Sequence, residues 1–390
     1  MSEIARGLEG VKFTETRLSN VDGVAGELTI AGFPLDQLAP NATFEEVLFL
    51  LWNDRLPTAS ELEALKEDMM YQRHLPPAAR TVLEEAARRK MPVMDAMRMA
   101  VDTIGMCEGE PHPSGAVDVG CGVALVAHMP TIVATYWRIL HGQKPIAPKN
   151  TYRHAANYLY MLTGQEPHAE ASRALETYLN TVVDHGMNAS TFTARVITST
   201  QSDMVSAVVG AIGALKGPLH GGAPGPALDM VFEIQARAAK SGKTVAQEAD
   251  GWVREAMESG GRIMGFGHRV YKVRDPRADV LDQAVRRMFS VTGEARLYED
   301  ARTVEDVAQR VLEELKPGRN LKTNVEFYTA LVLHGVGLEV NLFTPTFAIG
   351  RVGGWTAHVL EQVKENRLIR PDAAYVGAMG RAWVPLEKRG

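Results

Sequence analysis

The chain has 390 residues, 45% of them hydrophobic and 23% charged, with a formal net charge of −5. That length exceeds what one compact core usually supports, and the composition is that of an ordinary globular protein rather than a disordered or fibrous one. An acidic chain with no basic, aromatic-interleaved stripe argues against nucleic acid as a partner. Its two cysteines, Cys107 and Cys121, supply neither a disulfide framework nor the spacing of a metal site. The opening Met1-Ser2-Glu3-Ile4-Ala5-Arg6 lacks the basic-then-apolar order of a secretory signal, so a cytoplasmic location is expected.

In chain order, Gly26-Glu27-Leu28-Thr29-Ile30-Ala31-Gly32 alternates between glycines and predicts one arm of a short N-terminal β-hairpin. Helical signals dominate from there. Thr43-x-x-Glu46 and Thr58-x-x-Glu61 are capping boxes, each leading into apolar residues at helical spacing. The apolar stretch 122–137 is broken by His128 and Pro130, too short to span a bilayer, and predicts a buried helix or helix pair. Residues 204–215, rich in Ala, Val and Gly, predict a closely packed central helix that stops at Lys216-Gly217-Pro218. Three more helices begin near Pro226, at Asp275 with Pro276 in the first turn, and at Asn324 as N-cap. An all-α fold follows, carrying only the short hairpin.

Each of those last three helices is entered through a chemically suggestive segment. Gly217-Pro218-Leu219-His220-Gly221-Gly222 precedes the first, Gly265-Phe266-Gly267-His268-Arg269-Val270-Tyr271-Lys272 precedes the second, and Asn324-Val325-Glu326-Phe327-Tyr328 opens the third. Free backbone N–H groups and the helix dipole favour anions at such places. Gly265 and Gly267 let backbone approach a ligand closely, and the cations that follow suit a polyanion. Glu326 near a helix N-terminus should have its carboxylate favoured over the acid, so it could serve as an ionised base or simply stabilise its helix. Arg277, a cation in a first turn, asks for an anion nearby: either Asp275 or a ligand carboxylate. His220 and His268 lie on loops that cannot build a packed face. His185, within Asp184-His185-Gly186, is either another such group or a helix-end histidine bonded to Asp184. The other eight of the eleven histidines have no suggestive neighbours and are read as structural or surface residues. Two imidazoles and a carboxylate make an acid–base set. Dinucleotide, phosphate-loop, zinc-protease and nucleophile-elbow motifs are absent or incomplete.

These segments together resemble the citrate synthase family, in the family's order and across nearly the whole chain. His185-Gly186-Met187-Asn188-Ala189-Ser190-Thr191-Phe192, Phe343-Thr344-Pro345 leading to Arg351, Arg370-Pro371, and the opening Arg6-Gly7-Leu8-Glu9-Gly10-Val11 are similar as well. The resemblance implies a mostly helical homodimer, each subunit having a large domain (1–221 and 338–390) and a small one (222–337) that close over a cleft. It implies condensation of acetyl-CoA with oxaloacetate, then hydrolysis of citryl-CoA to citrate and CoA, with no metal or redox cofactor and no membrane. Glu326 would be the base, His220 the donor to the thioester oxygen and His268 the acid at the ketone oxygen. His185, Arg277 and Arg351 would hold oxaloacetate, joined by Arg370 from the partner subunit. Lys272, Arg269, Gly265 and Gly267 would meet CoA. One departure is plain: the family's usual catalytic aspartate is Glu326 here. A displacement of about 1 Å can cost on the order of a hundredfold in rate. A 2-methylcitrate synthase using propionyl-CoA, and a non-catalytic oxaloacetate- and CoA-binding paralogue, are the competing expectations.

Overall fold

The computed structural model describes residues 4–8, 10–106, 117–221 and 225–389; Met1, Ser2, Glu3, Glu9, Cys107 and Gly222, named above, lie outside the described residues. A three-stranded antiparallel meander opens the fold: β1 (Ser19–Asp22), β2 (Glu27–Ile30) and β3 (Phe33–Pro34), with Ser19 opposite Ile30 and Ile30 opposite Phe33. The expected hairpin therefore gains a third strand of two residues, too short to leave an alternation in the sequence. Among the described residues the helices are α1 (Leu35–Leu38), α2 (Phe44–Asn53), α3 (Ala59–Tyr71), α4 (Pro77–Arg88), α5 (Val93–Asp102), α6 (Val119–Leu140), α7 (His154–Thr163) and α8 (Ala169–Val182). They continue with α9 (Ala189–Ser199), α10 (Met204–Leu215), α11 (Gly225–Ser241), α12 (Val245–Glu258), α13 (Pro276–Thr292), α14 (Ala295–Leu315), α15 (Val325–Gly335) and α16 (Phe343–Lys364).

Helix entrances follow local chemistry. Thr43 and Thr58 close reciprocal capping boxes with Glu46 and Glu61, and Thr244 does the same with Gln247 at α12. Asp275 and Asn324 cap α13 and α15 by accepting from Arg277 N and Glu326 N. The stretch 122–137 lies in the single helix α6, which runs through Pro130. By length and composition α6 is apolar enough to cross a membrane, but 83% of its most apolar window is buried inside the fold, as suits a core helix.

Helix α16 brings the distant C-terminal part of the chain onto the end of α8. A Cβ on Gly354 would sit 2.1 Å from Val183 O, and one on Gly350 would sit 2.8 Å from Val182 Cγ2. Only hydrogen at those positions allows the two backbones to touch, which carries Arg351 and His358 up to residues 182–185. The meander turn does similar service elsewhere. Gly23 O accepts from Lys272 N at 2.8 Å, and a Cβ on Gly23 would fall 2.3 Å from Val270 O.

Candidate active site

The segment bearing His268 is placed by a short antiparallel pairing. Gly265 and Gly267 have φ of +85° and +82°, where a side chain would be strained. Between them, Phe266 bridges Thr323. Gly267 N donates to Lys322 O (2.7 Å) and Asn324 N to Gly265 O (2.9 Å), while Asn324 Nδ2 donates to Gly267 O (2.8 Å). The two glycines thus spend backbone groups on residues 322–324, and this sets His268 beside the entrance of α15. His268 Nδ1 accepts from Val270 N and Tyr271 N, both at 3.1 Å. A backbone N–H can only donate, so the ring proton belongs on Nε2.

Around His268 the remaining groups gather. Arg277 Nη2 lies 3.3 Å from His268 Nε2, a close approach of two donors rather than a hydrogen bond, the His185 and His268 rings meet edge to face at 5.8 Å, and His185 Nε2 is 3.1 Å from Tyr271 Oη. Asp275 is the anion that Arg277 asks for, gripping it at 3.0 and 2.8 Å. Arg351, 2% exposed, donates Nε to Val182 O and makes no ion pair with any described residue. Burial lowers its pKa to about 10, with Arg277 pushing the same way and Asp184 opposing. Both arginines also bear on Tyr178, whose buried hydroxyl has no hydrogen-bond partner among the described residues.

His220 stands on a turn after α10 with Nε2 2.8 Å from Ser190 Oγ and 3.3 Å from Ser190 N, which can only donate. Nε2 therefore accepts and the proton sits on Nδ1. Trp355 Nε1 fixes the serine from behind at 3.1 Å. Burial, helped by Arg351, lowers the His220 pKa to about 4. Burial, helped by Arg277, does the same for His268, and His185 is driven well below its ordinary value by burial and both arginines. All three are neutral imidazoles at neutral pH.

Glu326 corrects the expectation of an easily ionised first-turn carboxylate. Burial raises its pKa, with Arg277 and Arg262 pulling back and Asp275 adding to the rise. No described residue hydrogen-bonds to its carboxylate. His185 is likewise not bonded to Asp184, whose oxygens go to Ser19 and His358 instead. Lys272 and Arg269 are exposed on the His268 loop, with Lys272 Nζ 3.3 Å from Arg269 O. Arg370 does not join the others within one chain: it is 78% exposed, 4.0 Å from Asp372. Tyr271, Tyr178, Ser190 and His358 were not singled out by sequence reasoning. Ser190 and Tyr271 lie inside segments it had already marked. Among the described residues no group of three or more His, Cys, Asp or Glu could hold a metal ion.

The family model for the citrate synthase C-terminal domain matches residues 7–372. The chain belongs to the citrate synthase family. Within that family it is 40% identical to citrate synthase 2 of Bacillus subtilis, over 98% of this chain and 99% of the relative. It is 38% identical to a 2-methylcitrate synthase of Shewanella oneidensis, over 98% and 97%. Among solved structures, the ternary complex of carboxymethyl coenzyme A and oxaloacetate with the citrate synthase of Thermoplasma acidophilum superposes with a TM-score of 0.86. That structure is 31% identical, covering 99% of this chain and 100% of that one. The all-α fold is that of citrate synthases.

Proposed function

We propose that this citrate synthase family member condenses acetyl-CoA with oxaloacetate, using Glu326, His220 and His268 as its acid–base set. The observation that carries the reading is the buried Arg351, a guanidinium with no ion pair to any described residue, next to Arg277 and two neutral imidazoles. A desolvated cation left unpaired is costly, and a dicarboxylate would supply what it lacks. Oxaloacetate therefore takes Arg277, Arg351 and His185, with Arg370 reaching in from the partner subunit of a homodimer.

The chemistry follows from the proton positions. A thioester methyl is a weak acid, so its proton leaves only as charge on the thioester oxygen is stabilised. Glu326 takes that proton while Nδ1–H of His220 donates to the oxygen. The nucleophilic carbon then attacks the ketone carbon of oxaloacetate, whose oxygen takes the proton from Nε2 of His268. Water next cleaves the thioester of citryl-CoA, releasing citrate and CoA. A raised pKa on Glu326 suits a base, since proton affinity assists abstraction. Lys272 and Arg269 suit the CoA phosphates, and residues 222–337 form the small domain that closes over the substrates and excludes water. No metal or redox cofactor enters these steps, and a cytoplasmic setting suits both substrates.

The test is oxaloacetate-dependent thiol release by the purified protein with acetyl-CoA and with propionyl-CoA. A higher kcat/KM with acetyl-CoA is expected. Preference for propionyl-CoA would make the protein a 2-methylcitrate synthase, and oxaloacetate binding without multiple turnovers would make it a non-catalytic paralogue. Glu326→Asp tests the departure from the usual aspartate: a gain of tenfold or more would mark the longer side chain as a handicap (on the order of 1.4 kcal/mol in the barrier).

A further inference from the structure

Behind His185 runs a line of buried polar groups to which the proposed chemistry gives no part. Arg195, His358 and Asp184 are 1%, 0% and 0% exposed. Arg195 Nε and Nη2 point at His358 Nδ1 from 3.1 and 2.9 Å. A guanidinium has only donors, so Nδ1 must accept and the His358 proton lies on Nε2, facing Asp184 Oδ1 at 3.1 Å. The other Asp184 oxygen takes the Ser19 hydroxyl, and Ser19 Oγ accepts from Gly186 N at 2.8 Å. Both residues flanking His185 are therefore tied down, one by its side chain and the other by its backbone. At the far end Arg195 pairs with Glu361 and donates Nη1 to Gln362 Oε1 at 3.1 Å.

We propose that the Arg195–His358–Asp184 line is a positioning device, which holds the 184–186 turn so that the His185 imidazole meets the oxaloacetate carboxylate. The assignment rests on oxaloacetate lying at His185, as in the functional reading above. Three features favour positioning over plain core filling. A buried charged line contributes little to stability compared with apolar packing of the same volume, so its retention asks for a geometric reason. Every donor and acceptor along it has one available direction, which fixes the histidine tautomer and the Asp184 rotamer together. Finally, His358 and Arg351 stand seven residues apart on α16, hence on one face. The helix that supplies the unpaired cation also sets the neighbour of the imidazole.

His358→Leu removes the line's central donor, whereas His358→Gln keeps an amide donor near the place of Nε2. In His358→Leu the dissociation constant and KM for oxaloacetate are expected to rise about tenfold, with the acyl-CoA KM within about twofold of wild type. His358→Gln is expected to return the oxaloacetate constants to within about threefold. Binding is read by calorimetry with oxaloacetate alone, turnover by thiol release, and folding by circular dichroism at the assay temperature. A folded His358→Leu with unchanged oxaloacetate affinity overturns the proposal, as does a parallel loss for both substrates. Should His358→Leu fail to fold, Ser19→Ala cuts the opposite tether and must itself weaken oxaloacetate binding, or the proposal falls. A wild-type protein that binds no oxaloacetate overturns the functional reading and this assignment with it; wild-type binding beside unaffected variants overturns the assignment alone.

Discussion

Two groups of buried charge meet the entrance of α15, and they are finished differently. Glu305 is satisfied on all sides, by Arg274, by Arg302 Nη1 at 2.9 Å, by Thr323 Oγ1 at 2.6 Å and by Tyr328 Oη. The group at Arg277 and Arg351 is left incomplete, with one guanidinium paired to Asp275 and the other unpaired among the described residues. The first group clamps residues 323–328 in place. The second, on the same segment's other contacts, keeps capacity for an anion that the chain does not provide. Complete compensation marks structure here, and incomplete compensation marks the site.

The largest expected effect sharpens that division at the carboxylate itself. Glu326→Gln should lower kcat by about 10²–10⁴-fold with oxaloacetate affinity unchanged within about twofold, measured by thiol release and by calorimetry. Glu305→Gln should leave two cations undercompensated and cost about 3–5 kcal/mol of stability, read by denaturant titration. Arg351→Gln should do the converse, raising the oxaloacetate KM about tenfold to a hundredfold while stability stays within about 1 kcal/mol. Equal stability losses in the two variants would break the comparison.

Acid should expose the same contrast. The base must be ionised, and its pKa is raised, so kcat/KM should start to fall as pH drops through the Glu326 pKa. A steeper fall should follow near pH 4, where His220 and His268 take up protons. For stability the sign runs through the unfolded state, whose histidines titrate near 6.5. Between about 6.5 and 4 the unfolded chain binds protons that the folded one refuses, so Tm should fall as pH is lowered through that window and level off above it. The smallest effect belongs to Tyr178→Phe, which removes an unpartnered hydroxyl beside both arginines. The oxaloacetate KM should change by about threefold at most, with stability equal or up by about 1 kcal/mol.

The sequence revealed the site's entrances better than its interior. Asp275, Asn324 and the glycines of the His268 loop are legible because caps and positive-φ positions demand particular residue types within a few positions. The raised pKa of Glu326 was not legible because it depends on burial, which comes from elements far along the chain. Asp184 was offered to His185 as the adjacent partner, yet α16 supplies His358 instead, across 174 positions. His358 gave no sign of itself, lying between Ala357 and Val359 in an apolar helical run. The third strand was invisible for a simpler reason: two residues cannot show a period.

Asp184 joins Ser19, 165 positions before it, to His358 near the end of α16. No shorter stretch of polypeptide contains both tethers, so the turn they hold cannot be locked until the chain has been made as far as His358. Such distant closures slow folding, because their entropy must be lost before the contacts form. Competence to bind should therefore arrive in one late step, after most helices have formed, and refolding followed by helical signal should outrun the recovery of oxaloacetate binding.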